Sequence, residues 1–172
     1  MSRNWNLSWI GAFVIFATIL AYLSMPAFSV NGTAEREPAP AFVVSDLAGT
    51  PTSLVDFPQK VKILNFWATW CHACKMEIPA LRAIHEKYKD QGVTVIGISV
   101  DQDPNAVAKF VEQTGIEYPM LVNAMEAAQS YHLRATPTTL ILDENNNVYR
   151  KYVGVQGQGT FERDIEALLT SS

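Results

Sequence analysis

The sequence predicts an α/β fold with a mixed central sheet flanked by helices. Three observations predict it. Two apolar, β-branched runs, Val61–Trp67 (VKILNFW) and Val93–Val100 (VTVIGISV), read as buried strands. Between them Ile78, Leu81, Ile84 and Tyr88 recur along one helical face. Further on, a strand, a tight turn, a second strand and a helix close the chain, so a βαβ unit and an antiparallel hairpin share one sheet.

Each element has its own signal. Ala41–Ser45 and Thr52–Leu54 alternate as short strands around the turn Ala48-Gly49-Thr50-Pro51, which makes an N-terminal hairpin. Val61–Trp67 follows, then the helix, which Gly92 ends, and then Val93–Val100. Asp103-Pro104 opens the next helix, a capping acid followed by proline at the first helical position. Val107, Phe110 and Val111 line that helix and Gly115 closes it. Met120–Val122 adds a brief strand and Glu126–Tyr131 a short helix. Thr138–Leu142 pairs with Val148–Val153 across the turn Asn145–Asn147. Thr160 caps a last helix carrying Phe161, Ile165, Leu168 and Leu169 inward.

Residues 1–30 are of another kind. No charge occurs between Arg3 and Glu35, and Leu7–Leu23 (LSWIGAFVIFATILAYL) is almost continuously apolar. About 20 such residues, at about 1.5 Å of rise each, cross a bilayer as a helix. Trp5, Trp9 and Tyr22 suit the headgroup boundary, and Arg3 favours a cytoplasmic N-terminus with the remainder exported. The expectation is a single transmembrane helix in the cytoplasmic membrane, with the rest of the chain on its extracytoplasmic side. A cleaved signal peptide stays open as the alternative: Ala27 and Ser29 are small, but the apolar core exceeds the usual length. Residues 31–40 (NGTAEREPAP) read as a linker, and 41–172 as one domain able to bury its own core.

Arg3 is the only charge before residue 31, so the exported part holds 12 basic and 17 acidic residues, net −5. That mild acidity argues against a nucleic-acid partner. The chain shows no internal repeats.

The only two cysteines are Cys71 and Cys74, in "LNFWATWCHACKMEIPAL". Cys71 falls where the strand gives way to the helix, near unpaired backbone N–H groups and the positive end of the helix dipole. Both favour a thiolate, which makes Cys71 the nucleophile; Cys74, one turn on, is the resolving thiol. Three blander readings compete. A structural disulfide this short constrains the unfolded chain less than a long-range one. A zinc site lacks ligands, since two cysteines and His72, His85 and His132 show no ligand spacing. The third reading, two idle thiols, sits poorly with a helix start.

The surrounding residues carry a resemblance. "NFWATWCHAC" is similar to the thioredoxin-superfamily active site, and Pro79 stands where such proteins kink the active-site helix. "ATPTT", Ala135–Thr139, resembles the family's cis-proline loop. The anchor, the linker, the "APAF" opening and C-x-x-C-K-x-E-x-P together resemble the TlpA/ResA type of extracytoplasmic oxidoreductase. The segment Tyr118–Leu133, inserted before the cis-proline loop, fits that subgroup too. The resemblance implies a thioredoxin-like fold, a cis Pro137 facing the cysteines, and Thr136 offering backbone groups to a substrate strand. It also implies that Trp70, His72 and Ala73 line the substrate side.

Glu77, three residues after Cys74, shares its helix face. The subgroup associates a glutamate there with proton handling, while Asn65 takes the place of thioredoxin's buried aspartate. Resolution requires Cys74 to lose a proton, and a partly buried carboxylate can accept it. The plainer reading is a solvated glutamate paired with Lys75 or Arg82. Ala73 replaces the subgroup's usual proline, and a protonated His72 would favour the Cys71 thiolate; both leave the redox direction open.

The resemblance therefore implies a monomeric reductant of protein disulfides, such as apocytochrome c haem-site cysteines, fed by a membrane thiol donor. No bound cofactor is expected. An oxidant or isomerase, or a non-catalytic metallochaperone or adaptor on the same fold, are the alternatives. A peroxiredoxin is a weaker option, because no P-x-x-x-T-x-x-C precedes Cys71.

Overall fold

The computed structural model describes residues 36–170. The expected membrane anchor (1–30) and the first half of the expected linker (31–35) lie outside the described residues. Among the described residues no helix is long and apolar enough to cross a membrane.

The elements run β1 (Val43–Asp46), β2 (Pro51–Ser53), β3 (Val61–Trp67), α1 (His72–Tyr88), β4 (Val93–Ser99), α2 (Pro104–Thr114), β5 (Met120–Val122), α3 (Met125–Ser130), β6 (Thr138–Leu142), β7 (Val148–Val153) and α4 (Gln158–Thr170). They form one seven-stranded sheet in the order β2-β1-β5-β4-β3-β6-β7. β3, β4 and β5 run parallel. The pairs β1–β2, β1–β5, β3–β6 and β6–β7 are antiparallel. The sheet is mixed, as the sequence predicts. The inserted segment supplies β5, which joins the N-terminal hairpin to the central strands.

β3 and β4 are buried at every position, which is why both read as mostly apolar runs rather than as alternating ones. The period of two still sorts their side chains. Val61, Ile63 and Trp67 meet Leu81 and Ile84 of α1 and Phe161 and Ile165 of α4 on one face. Leu64 and Phe66 meet Phe42, Leu140 and Tyr131 on the other. Asn65 falls in phase with Ile63 and Trp67, so its amide points toward α1 inside an apolar layer. Gly97 lies under Trp67: a Cβ there would stand 2.5 Å from the Met120 sulfur and 3.3 Å from Trp67 Nε1. That space lets the indole N–H donate to Met120 Sδ at 3.1 Å.

The helix boundaries follow their capping chemistry. Asp103 caps α2 by accepting the Asn105 N–H at 2.9 Å, with Pro104 in the first turn. Gly115 ends α2 at φ +63, in the left-handed region that glycine tolerates. Of the three residues read as lining α2, Val107 is fully buried, while Phe110 and Val111 are half-buried at the core's margin. Pro79 sits inside α1, which continues to Tyr88.

Several boundaries differ from the sequence reading. Residues 36–40, read as linker, pair with the β6–β7 turn: Ala39 N–H donates to Asn146 O, Val148 N–H to Glu37 O, and Arg36 bonds Asp143. Thr160 is not the cap of the last helix; α4 opens at Gln158, and the Thr160 N–H already closes a turn on the Gly157 carbonyl. Leu54, read as the end of a strand, begins a 3-10 turn, Leu54–Asp56, because the Asp56 carboxylate accepts the Ser53 N–H and hydroxyl.

Asp103→Ala removes the α2 cap at an exposed position. We expect a loss of about 1 kcal/mol in urea unfolding.

Candidate active site

The site is built where β3 and β4 end. Running parallel, both deliver their C-terminal ends to one edge of the sheet, where the Val100 N–H donates to Trp67 O at 3.0 Å. Beyond it, Asp101 reaches the segment leading to the cysteines. Its carboxylate accepts the Thr69 N–H at 2.8 Å, the Thr69 hydroxyl at 2.6 Å and the Ser99 hydroxyl at 2.8 Å. The approach to Cys71 is thus fixed by a bracket that the sequence reading missed. Its signal was an aspartate directly after a buried strand.

Cys71 is the N-cap of α1, and its sulfur accepts the Cys74 N–H at 3.1 Å. This is the place of a capping oxygen, so helix-start N–H groups and dipole favour negative charge on that sulfur. Cys71 and Cys74 form a disulfide. Cys71 is 7 % exposed and Cys74 1 %, so an external sulfur meets Cys71 first.

Thr136-Pro137 is a cis peptide, at the position the resemblance indicates. The Thr136 carbonyl lies 3.6 Å from Cys71 Sγ, where the reduced thiol can donate to it. The loop is fixed by the Thr138 hydroxyl donating to Ala135 O at 2.7 Å and the Gly154 N–H donating to Pro137 O at 2.8 Å. Trp70, 71 % exposed, presents its ring to solvent beside Cys71. His72 is exposed and Ala73 half-buried against the core.

Glu77 is completely buried. The solvated ion pair with Lys75 or Arg82 is therefore not formed. The Lys75 ammonium lies over the Phe110 ring, 5.5 Å from its centroid, and Arg82 donates to Thr114 O. Three uncharged donors hold the Glu77 carboxylate instead. Asn65 Nδ2 at 2.8 Å and the Thr139 hydroxyl at 3.0 Å donate to Oε2, and the Gln156 N–H donates to Oε1 at 2.8 Å. Asn65 and Thr139 are direct partners in the β3–β6 register, and Asn65 Nδ2 also donates to Thr139 Oγ1 at 2.9 Å. Burial raises the Glu77 pKa, and the three hydrogen bonds oppose that rise without cancelling it.

The sequence reading had Glu77 and Asn65 but neither Thr139 nor Gln156. Thr139 was visible as a polar side chain in a buried strand, which must find a partner. A backbone N–H such as that of Gln156 has no side-chain signature. His85 is half-buried with Nδ1 unpartnered, and burial lowers its pKa. His132 is exposed.

Comparison with known proteins agrees with this geometry. Residues 36–151 match the AhpC/TSA family. The chain belongs to the AhpC/TSA family. Within it, the chain is 33% identical over 131 residues to thiol-disulfide oxidoreductase ResA of Geobacillus kaustophilus, covering 76% of this chain and 75% of that one. It is 34% identical to ResA of Bacillus thuringiensis subsp. konkukian, over 76% of both. Among solved structures, a thiol:disulfide interchange protein of the thioredoxin family from Chlorobium tepidum superposes with TM-score 0.71 at 29% identity, over 79% of this chain and 98% of that one. A DsbF homologue from Corynebacterium diphtheriae gives 0.72 at 27%, over 84% and 99%. The fold is thioredoxin-like, and this AhpC/TSA member is a thiol–disulfide oxidoreductase with Cys71 and Cys74 joined in a disulfide.

The raised Glu77 pKa has a direct consequence for stability. A carboxyl whose folded pKa lies above its unfolded one favours the folded state at low pH, and that contribution is lost as pH rises through the folded value. Wild-type stability should therefore fall relative to Glu77→Gln as pH rises from the ordinary carboxylate range. Urea unfolding of both proteins across a pH series reads this out, and parallel curves contradict it.

Proposed function

We propose that this protein is a membrane-anchored, extracytoplasmic reductant of protein disulfides, with apocytochrome c haem-site cysteines as its substrate class. The observation that carries the reading is the buried Glu77 carboxylate one turn beyond Cys74 on the redox helix. In the proposed cycle the Cys71 thiolate attacks a substrate disulfide. A Cys71–substrate bond forms and the other substrate sulfur leaves as a thiolate. Cys74 then attacks Cys71 Sγ: the Cys71–Cys74 bond forms, the second substrate sulfur departs with its electron pair, and the Cys74 proton passes to Glu77. Two electrons move from the enzyme dithiol to the substrate, and a membrane thiol donor restores the dithiol.

The other roles follow from placement. Thr136 offers its carbonyl beside Cys71, and the buried Pro137 shapes the loop against which an extended substrate strand lies. Trp70 supplies an exposed apolar face, with His72 and Ala73 between the cysteines on the approach side. Residues 1–30 tether the domain as a single-pass anchor, and the protein works as a monomer. The relatives named thiol-disulfide oxidoreductase ResA support the exchange chemistry, and the TlpA/ResA-like motifs support the reductant direction.

Two measurements test this reading. Equilibration of the Cys71–Cys74 couple in graded thiol buffers should give a potential near or below about −270 mV, as in thioredoxin. A value near about −120 mV, typical of strong periplasmic oxidants, overturns the reductant in favour of disulfide formation. Cys74→Ser should accumulate mixed disulfides through Cys71 in cells, including with apocytochrome c. If Cys71→Ser traps the same partners to the same extent, the order of attack is wrong.

A further inference from the structure

Two exposed apolar side chains stand where β7 leads toward α4: Val153 (60 % exposed), the last residue of β7, and Val155 (40 %), in the loop that follows. Two backbone bonds fasten it at opposite sides of the site. The Gly154 N–H donates to the carbonyl of the cis Pro137 at 2.8 Å, and the Gln156 N–H donates to Glu77 Oε1 at 2.8 Å. Gly154 has φ +87, a conformation that side-chain-bearing residues rarely adopt, and Gln156 Nε2 folds back onto Gly154 O at 3.2 Å. The loop is a short, stiff bridge between the wall beside Cys71 and the buried carboxylate.

The two carboxylate oxygens are not equivalent. Oε2 already accepts two side-chain donors, whereas Oε1 accepts the Gln156 N–H alone. Oε1 thus keeps the freer lone pair and is the oxygen better able to take a proton. Once protonated, that oxygen is a much poorer acceptor and loses the charge-assisted part of its bond to Gln156. Asn65 and Thr139 remain on Oε2, so the carboxyl stays in place while the loop loses its anchor.

We infer that the ionised Glu77 holds residues 154–157 in place through the Gln156 backbone N–H, and that a proton arriving on Glu77 releases this loop beside Pro137. The inference rests on the reading of Glu77 as acceptor of the Cys74 proton. It adds a consequence: the step that resolves the mixed disulfide also loosens the surface carrying Val153 and Val155, so proton transfer and product release are coupled. Gln156 is a positioning residue and acts by its main chain. The titratable groups facing Glu77 are Cys74, one turn earlier on α1, and Tyr118, whose hydroxyl is pushed up by burial and by the Glu77 charge. Arg82, a turn later on α1, acts on Tyr118 in the opposite sense. Asn65 of β3, Thr139 of β6 and the Gln156 amide carry no charge.

The test is a pH titration of the full-length, oxidised protein by NMR, following the Glu77 side-chain carbonyl and the Gln156 amide together. The two should share one midpoint, and the protection factor of the Gln156 amide against solvent exchange should fall about tenfold as Glu77 protonates. In Glu77→Gln the Gln156 response should vanish. In Gln156→Pro, which removes the N–H, the Glu77 midpoint should move to higher pH, because a donor favouring the charged form is gone. A Gln156 amide that stays invariant while Glu77 titrates overturns the inference, as does a Gln156 response that persists in Glu77→Gln. None of these readouts depends on turnover, so they stand apart from the Glu77 role in exchange. That role fails separately if Glu77→Gln leaves the pH profile of disulfide exchange unchanged.

Discussion

A single buried carboxylate ties the working parts of this molecule together. Glu77 projects from α1 into the layer between helix and sheet, and its three donors come from β3, β6 and the β7–α4 loop. Burying a charge without partners is prohibitive; supplying three neutral donors makes it tolerable without fixing it permanently in the ionised state. A cationic partner would have held the carboxylate ionised and removed it from proton exchange. The arrangement requires Asn65 and Thr139 to lie side by side, so the β3–β6 register is as much a part of the site as the cysteines are.

The cysteines depend on a second set of constraints, which come from the other neighbour of β3. Parallel pairing with β4 brings Asp101 to the segment before Cys71, and its carboxylate fastens both the main chain and the side chain of Thr69. Cys71 is then presented as a helix cap whose sulfur sits among N–H groups. The central strand thus has two jobs at its C-terminal end. Toward β4 it orients the Cys71 sulfur, and toward β6 it builds the cradle of the Glu77 carboxylate.

Much of this was legible in the residues. Val61–Trp67, Met120–Val122 and Thr138–Leu142 have the bounds that their apolar patterning gives, because burial and pattern report the same constraint; Val148–Val153, half-buried or exposed throughout, keeps its bounds through its turn and its pairing with β6. Asp103-Pro104 and Gly115 declared α2 through local capping chemistry. The cysteine spacing, Pro137 and Glu77 marked the site. The misses share a cause. Arg36–Pro40 looks like linker by composition, but it is held by main-chain bonds to a turn over a hundred residues away in sequence. The Gln156 N–H and the Asp101 bracket likewise arise from tertiary proximity, which no local window contains. Thr160 shows the converse: a good capping residue gives way when the chain closes its turn on an earlier carbonyl.

The sheet ends in ways that suit an enzyme of protein thiols. β2, at one margin, is only three residues long and begins with Pro51, which has no N–H to offer a neighbouring chain. β7, at the other, exposes Arg150 and Lys151, and the segment around Pro38 covers the turn that leads into it. Short, proline-bearing or charged margins resist strand-by-strand association with other polypeptides. An enzyme that handles extended protein segments is exposed to that hazard constantly. Blunting both margins turns such segments away from the sheet, so the residues that close the sheet's edges also guard it against aggregation.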